Sequence, residues 1–160
     1  MTYVELHCHS SYSFLDGASL PEELAARAAD LGYPALALTD HDGVYGSLEF
    51  AHAAKDLGVR PITGAEVTLA GGAHVTLLVE TGHGYANLCR ILSEAHAGTR
   101  RPGREDREPL PPSVEQAFVE EHADGLVCLS GCARSGLAVH DPDAAARLAR
   151  AFGRERFHVE

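Results

Sequence analysis

The sequence predicts an α/β fold built on a mainly parallel sheet. Three observations carry that expectation. Short apolar runs alternate with amphipathic stretches along the 160 residues. Helix start and stop signals frame the amphipathic stretches. Metal-ligand residue types fall just after the apolar runs. Strand followed by helix, repeated, lays helices across a parallel sheet. An open doubly wound sheet and a β/α barrel both satisfy the pattern, and in either one function gathers at the carboxyl ends of the strands.

Tyr3 to His7 reads as the first strand. Ser19-Leu-Pro-Glu22 predicts a capping box with Pro21 in the first helical turn. Leu24, Ala25, Ala28, Ala29 and Leu31 continue at helical spacing until Gly32. Ala35 to Thr39 is a short buried strand, and Ser47 to Leu57 is a second helix closed by Gly58. Pro61 to Gly64 is a third strand running into Glu66-Val-Thr-Leu69. After a Gly71-Gly72 turn, His74 to Glu80 is a strand positioned to pair with 66–69 as a hairpin. Tyr85 to His96 is helical, with Leu88, Ile91, Leu92 and Ala95 on one face. Residues 98–112, rich in Gly, Pro and Arg, read as a loop. Ser113-Val-Glu-Gln116 caps a further helix, and Leu126 to Ser130 is a strand. Asp141-Pro142 starts a helix to Phe152, and Arg156 to Glu160 begins another strand.

The bulk properties narrow the function. Hydrophobic residues make up 45% of the chain, which suits one globular domain or a piece of a larger one. A net charge of −10 argues against a dominant nucleic-acid-binding surface, because phosphate contacts need Lys and Arg. Cys8, Cys89, Cys128 and Cys132 form no Cys-x-x-Cys pair and are too few for a disulfide scaffold. The N-terminus lacks a basic stretch followed by an apolar run, and no apolar run approaches the ~20 residues of a membrane span. A soluble cytoplasmic protein with no membrane partner is the expectation. The chain has neither a Gly-x-x-x-x-Gly-Lys-Ser/Thr loop nor a Gly-x-Ser-x-Gly elbow.

The reactive residues follow the strands. His7 and His9 end the first, and residues i and i+2 of a strand point the same way. Asp40 and His41 follow the second, Glu66 the third, and Cys132 the strand at 126–130. Asp16 lies in the loop after the first strand. With His96 as a further candidate, these exceed the about four ligands of a closed zinc site. The excess predicts about two or three divalent ions, and mixed imidazole and carboxylate ligation favours Zn, Mn or Fe over Mg or Ca. Clustered divalent ions suit phosphoester hydrolysis, because they acidify water and neutralise charge on a leaving oxygen. Asp40 reads as a residue that orients a neighbouring ligand rather than a ligand itself. Asp42 reads as a turn residue. His52, His74, His83, His122, His140 and His158 read as packed or solvated. Cys8 faces away from its histidine neighbours, and Cys89 and Cys128 read as core. Arg100, Arg101, Arg104 and Arg107 form a small basic loop, read as solvated, with a nucleic-acid contact as the weaker alternative.

Five segments carry a family resemblance: Val4-Glu-Leu-His-Cys-His-Ser10, Tyr12-Ser-Phe-Leu-Asp-Gly17, Ala37-Leu-Thr-Asp-His-Asp-Gly43, Gly64-Ala-Glu66 and Leu129-Ser-Gly-Cys132. Together they resemble the polymerase and histidinol phosphatase (PHP) domain, as found at the N-terminus of bacterial DNA polymerase III alpha subunits. The wording of Leu15-Asp-Gly-Ala-Ser19 and Ala95-His-Ala-Gly-Thr-Arg100 is most similar to the error-prone type, with the replicative type next. The resemblance implies a distorted seven-stranded β/α barrel, of which residues 1–160 are the N-terminal part, truncated before closure. It implies His7, His9, Asp16, His41, Glu66, His96 and Cys132 as metal ligands, and a late Asp-x-His pair that this chain does not reach. The parent is then a much longer DNA-directed DNA polymerase acting in damage-induced translesion synthesis and repair. Its partners are DNA and, by the same resemblance, a sliding clamp and other repair or replication proteins. The domain itself is implied to be a metal-dependent phosphoesterase or 3′→5′ exonuclease. A replicative subunit with a structural metal site and a free-standing phosphatase are the alternatives. Because a β/α barrel needs about 250 residues to close, the isolated 160 residues are expected to be unstable and inactive.

Overall fold

Ala35-Leu-Ala-Leu38 is short and wholly apolar, which is the signature of a strand covered on both faces. In the computed structural model, which describes residues 3–99, 110–132 and 136–160, it forms β1 (Ala35–Leu38), buried along its whole length. The chain divides into two units, Met1–Glu66 and Val67–Glu160. The first contains α1 (Pro21–Asp30), β1, α2 (Ser47–Asp56) and most of β2 (Arg60–Thr68). β1 pairs in parallel with β2, from Ala35 opposite Arg60 to Leu38 opposite Thr63. Ala25 and Ala28 of α1, Phe50 and Ala54 of α2, and Leu36, Leu38 and Val59 make its core, with Cys8 packed against them.

The strand expected over Tyr3–His7 contracts to a single parallel bridge between Glu5 and Leu36. Side chains have taken the backbone donors. Glu5 Oε1 accepts the N–H groups of Leu6 and His7, and Thr39 Oγ1 accepts that of Cys8 at 3.0 Å. The segment still tracks β1: Ala37 N–H donates to the Glu5 carbonyl and Thr39 N–H to the Cys8 carbonyl. The cap of α1 also moves by one residue. Leu20, extended because it precedes Pro21, is the N-cap, and its N–H donates to Glu23 Oε2 at 2.9 Å. Gly32 and Gly58 follow the two helices with φ of +70° and +76°, as glycine permits.

The second unit holds β3 (His74–Val79), α3 (Gly82–Ala97), α4 (Gln116–Glu121), β4 (Leu126–Leu129), α5 (Leu137–His140), α6 (Pro142–Phe152) and β5 (Phe157–His158). β4 and β5 are parallel. β3 and β4 are antiparallel, against the mainly parallel expectation. The Gly71-Gly72 turn, closed by Leu69 N–H donating to the Ala73 carbonyl, reverses the chain before β3, so a β4 that keeps the parallel pattern runs against β3. α3 starts three residues before Tyr85 because Thr81 Oγ1 accepts the Gly84 N–H at 3.0 Å. Gly84 belongs there because a Cβ would overlap the Gly125 carbonyl. α4 starts after the expected Ser113 cap, since Ser113 N–H donates to the Ala95 carbonyl and Val114 bridges to Leu69. Asp141 caps α6 as expected, accepting the Ala144 N–H at 2.9 Å. Val75, Leu77, Leu88, Ile91, Leu126 and Leu148 are among its buried residues.

Neither unit is a closed barrel by itself. Among the described residues, no helix is long and apolar enough to cross a membrane. The basic loop from Arg100 to Arg107 lies outside the described residues.

Candidate metal centre

Five of the seven expected ligands converge in the first unit. His41 and Glu66 lie side by side because their backbones form a parallel bridge, reinforced by the Asp42 N–H donating to the Glu66 carbonyl at 2.8 Å. Asp42 is the turn residue expected before Gly43, with φ +47°. His7 and His9 project together, and their Nε2 atoms are 3.2 Å apart. Both approach one oxygen of Glu66: Oε2 lies 2.5 Å from His7 Nε2 and 3.0 Å from His9 Nε2. The other carboxylate oxygen, Oε1, is 3.7 Å from His41 Nδ1. The turn at Ser10–Ser13 brings Asp16 back to the same place, with Oδ2 at 2.5 Å from His9 Nδ1 and 3.2 Å from His41 Nε2.

Two donor groups lie wholly within the first unit, His7–His9–Glu66 and His9–Asp16–His41. Their shapes differ. The Glu66 side chain is 4% exposed and forms the floor, while the Asp16 side chain is 52% exposed and forms the rim. The groups share His9, whose neutral imidazole offers one lone pair. It therefore serves one group at a time and presents a proton to the other.

The donor set fits divalent cations. Three neutral imidazoles and two carboxylates carry a net charge of −2, opposite in sign to a divalent ion. His9 Nε2 lies 3.2 Å from His7 Nε2 and 3.0 Å from Glu66 Oε2, near the about 3.3 Å that tetrahedral bonds of about 2.0–2.1 Å imply, while His7 Nε2 and Glu66 Oε2 are in direct hydrogen-bond contact at 2.5 Å. Without an ion, burial works to lower the His9 pKa, but hydrogen bonds that the imidazole makes to the Glu66 and Asp16 carboxylates outweigh it and the imidazole is shifted upward. Asp16 is shifted downward, chiefly by its hydrogen bond with His9; burial opposes the shift, and the hydrogen bond with His41 and the charges of both imidazoles add to it. Cys8, between two of the candidate ligands in sequence, is packed against the core and away from them. Burial, then the charges of Glu5 and Asp40, push its thiol up to about 11.

Asp40 departs from the simplest form of its expected role. Its carboxylate is buried and holds no imidazole among the described residues. It accepts instead from the Ser10 N–H and Ser13 Oγ–H on Oδ1 and from the Ser10 Oγ–H on Oδ2, at 2.7–2.8 Å. Ser10 and Ser13 were not singled out in the sequence. The available signal was a pair of serines three apart, inside the loop that joins His9 to Asp16.

His96 and Cys132 belong to the second unit. His96 is half-buried in the last turn of α3. Cys132 is half-buried after β4, and its carbonyl accepts the Gly136 N–H at 2.7 Å. The preceding Gly131 has φ +81°, and a Cβ there would overlap the His74 carbonyl, which accounts for glycine in Ser130-Gly-Cys132.

Residues 5–160 match the PHP domain. The chain belongs to the PHP domain family. This PHP domain is 42% identical over 175 residues to an error-prone DNA polymerase of Symbiobacterium thermophilum, an alignment that covers 100% of this chain and 16% of that protein. It thus spans about one sixth of that relative's length. Among solved structures, a candidate metal-dependent phosphoesterase of Bifidobacterium adolescentis superposes with a TM-score of 0.69 at 14% identity, covering 94% of this chain and 74% of the other. A lesion-specific endonuclease of Pyrococcus furiosus superposes with a TM-score of 0.55 at 16% identity, covering 94% and 39%. These two likenesses show the fold alone and are consistent with the partial β/α barrel expected.

Proposed function

We propose that this PHP domain is part of an error-prone DNA polymerase, a cytoplasmic enzyme that extends DNA past lesions during damage-induced synthesis and repair. In that setting the domain is a metal-dependent phosphoesterase of the 3′→5′ exonuclease type. The convergence of His7, His9, Asp16, His41 and Glu66 on two adjacent donor groups is the observation that carries this reading. About two or three divalent ions, Zn, Mn or Fe, are the cofactors that suit these ligands, with His96 and Cys132 completing the set.

When bound, such ions supply an acidified water and neutralise the charge that develops on the leaving oxygen. The chain's own contribution is arrangement. Glu66, fixed beside His41 by the backbone bridge, offers one oxygen to each side of the cluster. His7 and His9 fix the floor. Asp16, exposed on the rim, faces the substrate side. DNA is the partner implied, and the sliding clamp and other replication or repair proteins are partners of the complete polymerase.

The test is His9→Ala in the complete polymerase, because His9 is common to both donor groups. Metal content is expected to fall and 3′→5′ cleavage of single-stranded DNA to disappear, while primer extension continues. Unchanged metal content with unchanged cleavage would overturn the reading. A bracing role for the metals is the second reading, favoured by the buried Asp40 network directly beneath the ligand loop. Measuring melting temperature and cleavage rate together, with and without chelator, separates the two. In the bracing case melting temperature alone changes.

A further inference from the structure

Ser13 holds both of the ligands that the first donor group lacks. Its Oγ donates to Asp40 Oδ1 at 2.7 Å and accepts the His41 N–H at 3.1 Å. Its carbonyl accepts the Asp16 N–H at 3.0 Å and the Gly17 N–H at 2.8 Å. One residue thus ties the backbone of Asp16 to the backbone of His41, although the two are separated by a helix and a strand in sequence. The node is anchored from beneath. Asp40 is 2% exposed, Ser13 1% and Ser10 0%. Ser10 supplies two more donors to Asp40 through its N–H and Oγ–H, and its own carbonyl accepts the Ser13 N–H at 2.9 Å. No space is left for the loop to relax toward Ser10, since a Cβ at Gly17 would overlap the Ser10 carbonyl.

The His7–His9–Glu66 group is held differently. Cys8, between the two histidines, bonds through its N–H and carbonyl to Thr39. The Glu66 N–H bonds to the Thr39 and Asp40 carbonyls. None of these bonds passes through the Ser13 or Asp40 side chains.

We infer that Ser13 and Asp40 are positioning residues for one subset of the metal site: they fix Asp16 and His41 as a pair, and leave the His7–Glu66 pair to the Thr39 anchor. This inference rests on the metal-centre reading above. Neither side chain is a ligand. Their effect is to deliver two ligands, one from a loop and one from a strand end, in a fixed mutual geometry before any ion arrives. Side chains that orient ligands typically govern metal affinity by about 10–100-fold, and here that leverage falls on one donor group alone.

The experiment is a cobalt titration of the complete, chelator-stripped protein. Bound Co²⁺ is counted by atomic absorption, and its ligand field is followed in the visible spectrum. The wild type is expected to take up at least two equivalents. Ser13→Ala is expected to weaken one of them by about 10–100-fold and to leave the other unchanged in affinity and spectrum. Asp40→Asn, which keeps the side chain's shape but replaces one acceptor oxygen with an amide donor, should weaken the same equivalent. Ser10→Ala, which leaves Asp40 two of its three donors and the His41 contact intact, should have the smallest effect of the three. Equal weakening of all bound cobalt in Ser13→Ala, or no weakening, overturns the inference while leaving the metal centre standing. A wild type that binds no cobalt overturns the metal-centre reading itself, and the inference with it.

Discussion

The two units bury polar side chains for different ends. In the first, Ser10, Ser13, Thr39, Asp40 and Glu66 are buried within a few residues of the ligand cluster, and two of them are carboxylic acids. In the second, Thr76, Asn87 and Ser130 are buried, all uncharged. Asn87 braces its surroundings: its amide donates to the Asp124 carbonyl at 2.9 Å, and its oxygen accepts from Arg90 at 2.7 Å. Ser130 Oγ accepts the Glu160 N–H at 3.1 Å. A buried neutral amide needs only its hydrogen bonds. A buried carboxylate needs compensation of its charge as well. The Glu66 carboxylate lies against the imidazoles of His7 and His9, so in the first unit the buried charge belongs to the candidate metal centre itself.

Four measurements sharpen or break the contrast, in falling order of expected size. Leu77→Ala empties a fully buried position in β3 and is expected to destabilise the second unit by about 2–5 kcal/mol. Metal content should not change, and a metal-content loss at unaltered stability would contradict the division of labour. Asn87→Ala removes both braces and is expected to cost about 1–3 kcal/mol, read as faster amide exchange around Asp124. A third measurement concerns acidity. His9 is shifted upward from its ordinary 6.5, so a proton competes with metal up to a higher pH. Metal affinity should rise with pH up to that shifted value and then level off, changing at most about tenfold per pH unit for one displaced proton. The metal-free protein runs the other way. The raised His9 contributes stability below 6.5 that is lost as pH rises through its folded value. The lowered Asp16 contributes stability above 3.8 that is lost as pH falls through its folded value. The pair therefore helps the metal-free state most between those two values, and thermal melts across that window check the sign. Last, Arg156→Ala breaks an exposed ion pair with Glu80 at 2.9 Å and should change stability by about 0–1 kcal/mol.

The legibility of this chain followed the range of the interactions involved. The i, i+2 pair His7–His9, the strand-end Asp40-His41 and Glu66 were readable because strand alternation and strand order alone bring them to one place. β1, α2, α3 and α6 were readable from apolar spacing and caps, as Asp141 illustrates. What stayed hidden depended on side chains that bond to distant backbone. Glu5 and Thr39 dissolved an expected strand by capturing its N–H groups, and Ala95 drew Ser113 away from its expected cap. Ser13 escaped notice for the same reason: its bonds to His41 and Asp40 span more than twenty residues of sequence. The antiparallel pairing of β3 and β4 was partly legible, because the Gly71-Gly72 turn before β3 marks a reversal, while the apolar pattern does not say which strand β3 pairs with next.

Cys8 has a consequence of its own. A thiol flanked by two candidate ligand histidines is exposed, in sequence terms, to whatever oxidants a redox-active ion generates nearby. The extended segment that tracks β1 turns it instead toward Leu36, Phe50 and their neighbours, and burial pushes its pKa up to about 11. Since peroxide attacks the thiolate form, this placement keeps the Cys8 sulfur unreactive although its sequence neighbours line the candidate metal centre.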